Sequence, residues 1–315
     1  MLLVRNIRLP LSCPDPDAEA AAQALHILRV PAHKAARCGV AKLSVDARHG
    51  KPVLVYTMAI TLKDEGEESA YAGASPCVCF TQPARFSFPV GDTALKSRPV
   101  VVGLGPAGLF AALLLARNGF RPLVLERGPE LDERVKAVEH FEKTGELNLN
   151  ANIQFGEGGA GTFSDGKLTT RVGDPLCAFV TDAFLQHGAP ADIAWRQKPH
   201  VGTDLLRGII RSIRQEIIAL GGEVRFNTAL TGLKIENGAL AGVETTAGDF
   251  ACEQLILAVG HSARDTFAML HGSGLPLECK PFSVGFRAEH LQTEIDKSLY
   301  HAAAGHPVLP VGEYQ

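Results

Sequence analysis

The stretch Val100-Val-Val-Gly103-Leu-Gly105-Pro-Ala-Gly108 decides the fold. Three β-branched residues form a buried strand, and the glycines that follow fit G-x-G-x-x-G at a strand-to-helix turn. Each glycine has a mechanical task. Gly103 permits the tight turn, Gly105 lets a pyrophosphate approach the backbone, and Gly108 lets the helix pack closely. The diphosphate is expected at the helix N-terminus, beside Pro106 and Ala107, where free N–H groups and the dipole favour negative charge.

The residues after the glycines agree with this reading. Leu109 to Asn118 reads as a helix ending at Gly119, and Pro122 to Glu126 as a second buried strand. Glu126 falls about 20 residues beyond the glycines, where a carboxylate hydrogen-bonds the ribose of an adenosine. A carboxylate there disfavours a 2′-phosphate, so the expected nucleotide is FAD or NAD rather than NADP. The uncharged run from Pro99 to Ala116 has the length of a short membrane span, about 18 residues. Its glycine cluster reads instead as strand, turn and buried helix, so no membrane span is expected.

Composition sets the frame. The chain has 315 residues, 46% hydrophobic and 21% charged, which suits a soluble protein of two or three domains. A formal charge of -3 gives no overall attraction to nucleic acid or anionic lipid, so neither is an expected partner. Seven cysteines without a paired framework, and no signal-peptide pattern, point to the cytoplasm. Cys77-x-Cys79 has no second pair at zinc spacing and reads as alternation on a short strand, so no metal site is expected.

Residues 1–75 read as a small α/β module in the order βαββ. The strands are Leu2–Leu9, Val40–Ala47 and Pro52–Leu62, with a helix from Asp15 or Asp17 to Leu28 and a turn at His49-Gly50. Asp64 to Ser75 reads as a loop, and 76–98 as a proline-rich connector with an edge strand at Phe86 to Val90. The dinucleotide domain spans 99–275 with an inserted segment at about 128–200. It includes an amphipathic helix over Arg207–Leu220, with Ile209, Ile210, Ile213, Ile217 and Ile218 inward and Arg211, Arg214 and Glu216 outward. Strands follow at Glu223–Phe226, Leu233–Glu236, Gly242–Thr245 and Gln254–Val259. Residues 276–315 read as the start of a substrate domain, with its first strand at Phe282–Arg287. The expected fold class is α/β, a Rossmann-like domain with a parallel sheet.

The glycine segment and Leu125-Glu126-Arg127 resemble the opening of the FAD-binding class that includes glutathione reductase and p-hydroxybenzoate hydroxylase. Glu223-Val-Arg-Phe-Asn-Thr-Ala-Leu230 is similar to the strand whose backbone touches the adenine, which implies that role for Leu230. Leu255-Ile-Leu-Ala-Val-Gly260 resembles the strand passing the cofactor phosphates, with Ala258 and Gly260 leaving room. Phe155 to Leu168 and Gly260-His-Ser-Ala-Arg264 resemble a bacterial group of FAD-dependent dehydrogenases, for which the resemblance names no substrate. Geranylgeranyl reductases and electron-transfer flavoprotein dehydrogenases look like more distant relatives. The class also carries a C-terminal Gly-Asp segment over the flavin. It is not found here, which leads to the expectation of a C-terminally truncated chain.

The resemblance implies FAD and a flavin-dependent oxidoreductase acting on a small-molecule substrate or electron carrier. An NAD-binding dehydrogenase, and a flavoprotein of RNA modification or a non-enzymatic binding module, remain as alternatives. The loop Gly156 to Gly166 is expected to line the cofactor, with Gly158, Gly159 and Gly161 giving close approach and Ser164 and Asp165 supplying polar groups. Lys167 is the candidate for stabilising charge on reduced flavin, and His261 the candidate proton shuttle. Arg127 completes the expected cofactor set. His200 reads as a loop residue, with Thr203 or Asp204 capping the next helix. There is no second glycine fingerprint and no dithiol pair, which argues against a reductase of the glutathione reductase type.

Overall fold

Alternation along the N-terminal strands buries every second side chain against one helix. β1 (Leu2–Pro10), β2 (Ala35–Asp46) and β3 (Val53–Leu62) form an antiparallel sheet. In β3 the buried series is Leu54, Tyr56, Met58, Ile60 and Leu62. It forms one core with Ala20, Ala24 and Leu28 of α1 (Pro16–Leu28). Asp15 caps α1 by accepting the Ala18 N–H, and the Tyr56 hydroxyl donates to Asp17 at 2.7 Å.

The computed structural model describes residues 1–313 apart from 49, 83–87, 165, 169, 171, 198, 200 and 287. It contains two units: residues 1–85 with 194–199 and 281–315, and residues 86–193 with 200–280.

The short strand read at Cys77-x-Cys79 is observed as β4 (Val78–Phe80), which pairs with β1 and gives the order β2-β3-β1-β4. Elsewhere the first unit departs from expectation. Residues Glu65–Tyr71, expected as loop, form a 3₁₀ helix. Its buried Glu68 accepts the Leu62 N–H at 2.9 Å and pairs with the Met1 ammonium, which draws this acidic stretch inward. The expected edge strand at Phe86–Val90 begins outside the described residues, and Phe88–Val90 carries no strand. His49 also lies outside them.

The second unit is built on a four-stranded parallel sheet, β5 (Val100–Val102), β6 (Leu123–Leu125), β7 (Glu223–Arg225) and β11 (Leu255–Leu257). The order is β11-β5-β6-β7. Between β5 and β6 runs α2 (Pro106–Arg117), which starts at the fingerprint because Pro106 is already shaped for a first turn. Between β6 and β7 lie α3 (Leu131–Thr144), α4 (Cys177–Gln186) and α5 (Thr203–Ala219). β8 (Leu230–Glu236), β9 (Ala239–Thr245) and β10 (Gly248–Ala251) form an antiparallel sheet before β11. β10 was not expected from the sequence. α6 (Arg264–Gly272) follows β11, and α7 (Gln292–Tyr300) belongs to the first unit.

On α5 the inward face is Leu206, Ile209, Ile210, Ile213 and Ile217. Ile218, expected inward, is half exposed, and Arg214, expected outward, is largely buried. The helical period explains both. Arg214 stands four residues after Ile210 and three before Ile217, on the core stripe, where it meets a buried carboxylate. The expected strand Phe282–Arg287 is absent over its described residues. Phe282, Val284 and Phe286 are strongly exposed, and Arg287 lies outside the description. Among the described residues no helix is long and apolar enough to cross a membrane. The 99–116 run is β5, the turn and most of α2.

Glu216 fastens α5 to α2 and α4. Arg117 donates to both its oxygens (2.7 and 2.9 Å), and His187, itself paired with Ser212, lies 2.7 Å away. The Arg117 hydrogen bond, foremost, holds the carboxyl below its ordinary value. A carboxyl with a lowered folded-state pKa stabilises the fold at neutral pH and loses that contribution as pH falls through the folded value. Glu216→Gln should therefore be less stable than the parent at neutral pH by about 1 kcal/mol, the scale of a partly exposed ion pair. The gap should shrink in acid. Urea unfolding across pH tests this, and a gap that stays constant well below the glutamate range contradicts it.

Candidate functional site

A cavity of about 410 Å³ opens at the C-terminal ends of β5, β6 and β11, bordered by Val102, Leu125 and Leu257. This is where parallel α/β sheets place their ligands, since the strand ends diverge and the loops leave in different directions. The fingerprint supplies its floor, with Gly103, Gly105, Pro106 and Ala107 all lining it.

The three glycines do different work. Gly103 has φ +95, and a Cβ there would lie 2.5 Å from the Ala258 carbonyl oxygen. A Cβ on Gly108 would lie 1.8 Å from the Gly103 carbonyl oxygen, so any side chain pushes α2 off the turn. Gly108 thus lies behind the cavity and fixes the helix. Gly105 is the reverse. Its φ of -67 is open to every residue and a Cβ would meet nothing within 4 Å, so the free space beside it is part of the cavity.

Glu126 is 3% exposed and lines the cavity. Its Oε2 accepts the Leu104 N–H and its Oε1 the Gly128 N–H, both at 2.8 Å. Two backbone donors hold the carboxylate in the cavity wall. Arg127, also lining, donates to both Asp265 oxygens (3.1 and 2.5 Å), and that hydrogen bond lowers the Asp265 carboxyl. Leu230, Ala258 and Gly260 line the cavity as well.

From the glycine loop, Gly159 lines the cavity and Gly158 and Gly161 do not. Gly158 donates its N–H to the Leu104 carbonyl at 2.9 Å, which ties the loop to the fingerprint. A Cβ on Gly159 would lie 2.6 Å from the Pro106 ring, and one on Gly158 2.3 Å from Ile210. The loop is therefore pressed against the first turn of α2 on one side and against α5 on the other. Ser164 turns back on its own loop, its hydroxyl bonding the Gly161 carbonyl. Lys167 and His261 are exposed and stand outside the lining, although His261 sits between lining residues Gly260 and Ser262. Asp165 and His200 lie outside the described residues. Thr203 does not cap α5; its hydroxyl donates to the Ser164 carbonyl at 2.5 Å, and Gly202 takes the cap position.

Sequence reasoning missed Gln154, Phe155, Thr228, Ala229, Ser262 and Thr266 as lining residues. It also missed the buried charges beneath the loop. Arg134 and Glu157 are both 0% exposed. Burial pushes Arg134 down to about 10, and burial raises the Glu157 carboxyl against the opposing pull of Arg214. Arg214 Nε lies 2.8 Å from Glu157 Oε1, an ion pair not aligned as a hydrogen bond. A signal existed. Leu131, Arg134 and Val138 share one helical face, so an arginine stood on an apolar stripe while Glu157 stood inside a glycine run. Among the described residues no group of three or more His, Cys, Asp or Glu is placed to hold a metal ion, and all seven cysteines are free.

Parallel sheet, glycine turn and buried carboxylate define the class: a dinucleotide-binding fold. Within that class, residues 207–314 match the family described as "DAO: FAD dependent oxidoreductase", a family whose cofactor is FAD. A Clostridium beijerinckii protein described only as uncharacterized is 50% identical over 225 residues, covering 71% of this chain and 42% of its own length. Digeranylgeranylglycerophospholipid reductase 1 of Methanococcoides burtonii is 28% identical over 218 residues, 68% of this chain and 49% of the relative. The chain thus spans about half the length of the curated relatives it matches. Among solved structures, Thermovibrio ammonificans THI4 is 16% identical (TM-score 0.37), covering 57% of this chain and 63% of that one. Glycine oxidase from Bacillus cereus is 14% identical (TM-score 0.36), covering 56% and 59%.

The glycine geometry separates two substitutions. Gly105→Val should fold like the parent, within about 0.5 kcal/mol, yet lose FAD because its branched side chain fills the cavity. Gly108→Ala should destabilise the unit itself by roughly 1–3 kcal/mol, the scale of overpacking. Thermal unfolding with flavin content on both variants checks the contrast. Parent-like flavin content in Gly105→Val would remove the pyrophosphate assignment.

Proposed function

We propose that the chain binds FAD non-covalently in this cavity and serves flavin-dependent oxidoreduction of a small-molecule substrate or electron carrier in the cytoplasm. The carrying observation is Glu126, a buried carboxylate fixed by two backbone N–H groups at the rim of a glycine turn whose free side is cavity. The residues present fit a dinucleotide. The amides at the start of α2 would hold the diphosphate, Glu126 would accept from the ribose hydroxyls, and Leu230 with Ala229 would give the adenine an apolar wall. Bound flavin supplies hydride or electron transfer, while the protein's part is to bind, orient and exclude water. From the loop expected to line the cofactor, Gly159 meets the cavity, while Gly158 supports the turn through the Leu104 carbonyl and Gly161 and Ser164 stand farther along the same loop; the role expected of Asp165 stays with the sequence reading. His261 stays as the candidate for proton transfer, since it stands between the lining residues Gly260 and Ser262, and Lys167 stays as the candidate for charge stabilisation on the sequence resemblance alone.

The absorption spectrum of the purified full-length protein, followed by FAD titration of the flavin-free form, tests this reading. A bound-flavin spectrum and saturable uptake are expected. Glu126→Ala should weaken uptake by roughly 1.5–3 kcal/mol, the scale of hydrogen bonds to a charged group. NADP should not compete, because Glu126 would face its 2′-phosphate. A protein that takes up no flavin and is protected by NAD instead would sink the proposal.

A further inference from the structure

The cavity wall contributed by residues 152–157 has neither helix nor strand, so its backbone carbonyls need donors from elsewhere. One side chain provides them. Arg134 Nε and Nη2 donate to the Asn152 carbonyl (3.1 and 3.0 Å), Nη2 also reaches Ile153 (3.2 Å), and Nη1 donates to the Glu157 carbonyl at 2.6 Å. Between these anchors lie Gln154, Phe155 and Gly156, all three lining the cavity. The fork grips both ends of the wall and does not itself line the cavity.

Two neighbours fit the same geometry. A Cβ on Gly156 would lie 2.8 Å from Arg134 Nε, and Gly156 has φ +109, so the guanidinium occupies the place of a side chain. The Phe163 ring covers the guanidinium, 4.8 Å from Cζ to centroid. The Glu157 carboxylate is spent elsewhere. Its Oε2 accepts the Leu131 N–H at 2.7 Å and its Oε1 faces Arg214. Arg134 is thus bonded to carbonyls rather than to a counter-ion, which is a task for a planar fork of donors and not for a point charge.

We propose that Arg134 is the positioning residue of the cofactor cavity, holding Gln154 to Gly156 in place through the backbone carbonyls on either side. This rests on the FAD reading for what the cavity holds, but the clamp itself acts in the flavin-free protein. Arg134→Lys keeps the charge and cannot span the three carbonyls. Gly156→Ala keeps Arg134 and crowds its guanidinium, while also straining the backbone at φ +109.

Hydrogen exchange of the full-length, flavin-free protein reads the clamp, and FAD titration at a temperature where far-UV circular dichroism is parent-like reads its consequence. In both variants, amides of residues 154–160 should exchange roughly ten- to a hundredfold faster, the scale of buried carbonyls losing a donor, with β5 and α2 unchanged. The FAD dissociation constant should rise by about tenfold or more. Parent-like loop exchange in Arg134→Lys would overturn the proposal. So would faster exchange spread evenly through the unit, which marks a merely structural arginine. If the parent itself takes up no FAD, the flavin reading fails and the exchange pattern alone decides the clamp.

Discussion

The second unit depends on one steric constraint, the approach of α2 to the turn that precedes it. The carbonyl oxygen of Gly103 occupies the space where a Cβ of residue 108 would be, and the Ala258 carbonyl oxygen crowds the space beside Gly103. Helix α2, turn and the end of β11 therefore interlock without side chains. That contact brings the first turn of α2 to the ends of three parallel strands and leaves the side of Gly105 open. The cavity is what remains when two glycines are spent on packing and one is spent on nothing.

A glycine turn bare of side chains needs support from outside, and the loop at 156–163 gives it. Gly158 bonds the Leu104 carbonyl, and Gly159 lies against Pro106. Such a loop leaves its own polar backbone groups unmet, and burying them without partners costs several kcal/mol. Here the donors come from a fully buried arginine, with a buried carboxylate turned to the start of α3. Buried ions are poor value as stability alone, since desolvation offsets much of their attraction. Their presence under one wall of the cavity reads better as a choice of geometry over stability.

The sheet and the fingerprint were legible in the sequence because they rest on local signals. Three β-branched residues, a glycine triplet and an acid at fixed spacing act within about 30 residues of each other. The errors fell where distant partners decide. The short strand at Cys77-x-Cys79 was legible, but that it pairs with β1 and so enters the N-terminal sheet is announced by nothing local. Arg214 was placed outward by its charge, whereas its helical position and Glu157 place it inward. The lining residues Thr228 and Ser262 stand in segments that resemble FAD proteins but were given no role there, and Thr266 stands in none; all three reach the cavity through the way β7, β11 and α6 converge. Phe282, Val284 and Phe286 alternate as a strand does, yet alternation without a paired neighbour makes no strand.

On the proposed reading, Glu126 serves structure and recognition with one group. Its two oxygens each hold a backbone N–H, one from the fingerprint turn and one from the start of the next loop. A carboxylate has about four lone-pair sites, so each oxygen keeps capacity for a further donor. Ribose hydroxyls can then be accepted without releasing Leu104 or Gly128. The carboxylate is oriented before any ligand arrives, and the ordering cost that binding usually carries is already met by folding. Neutralising this residue removes the tether between turn and loop and, on the proposed reading, a ligand contact with it. By contrast Gly105 contributes only empty space, so the two positions separate affinity lost through disorder from affinity lost through obstruction.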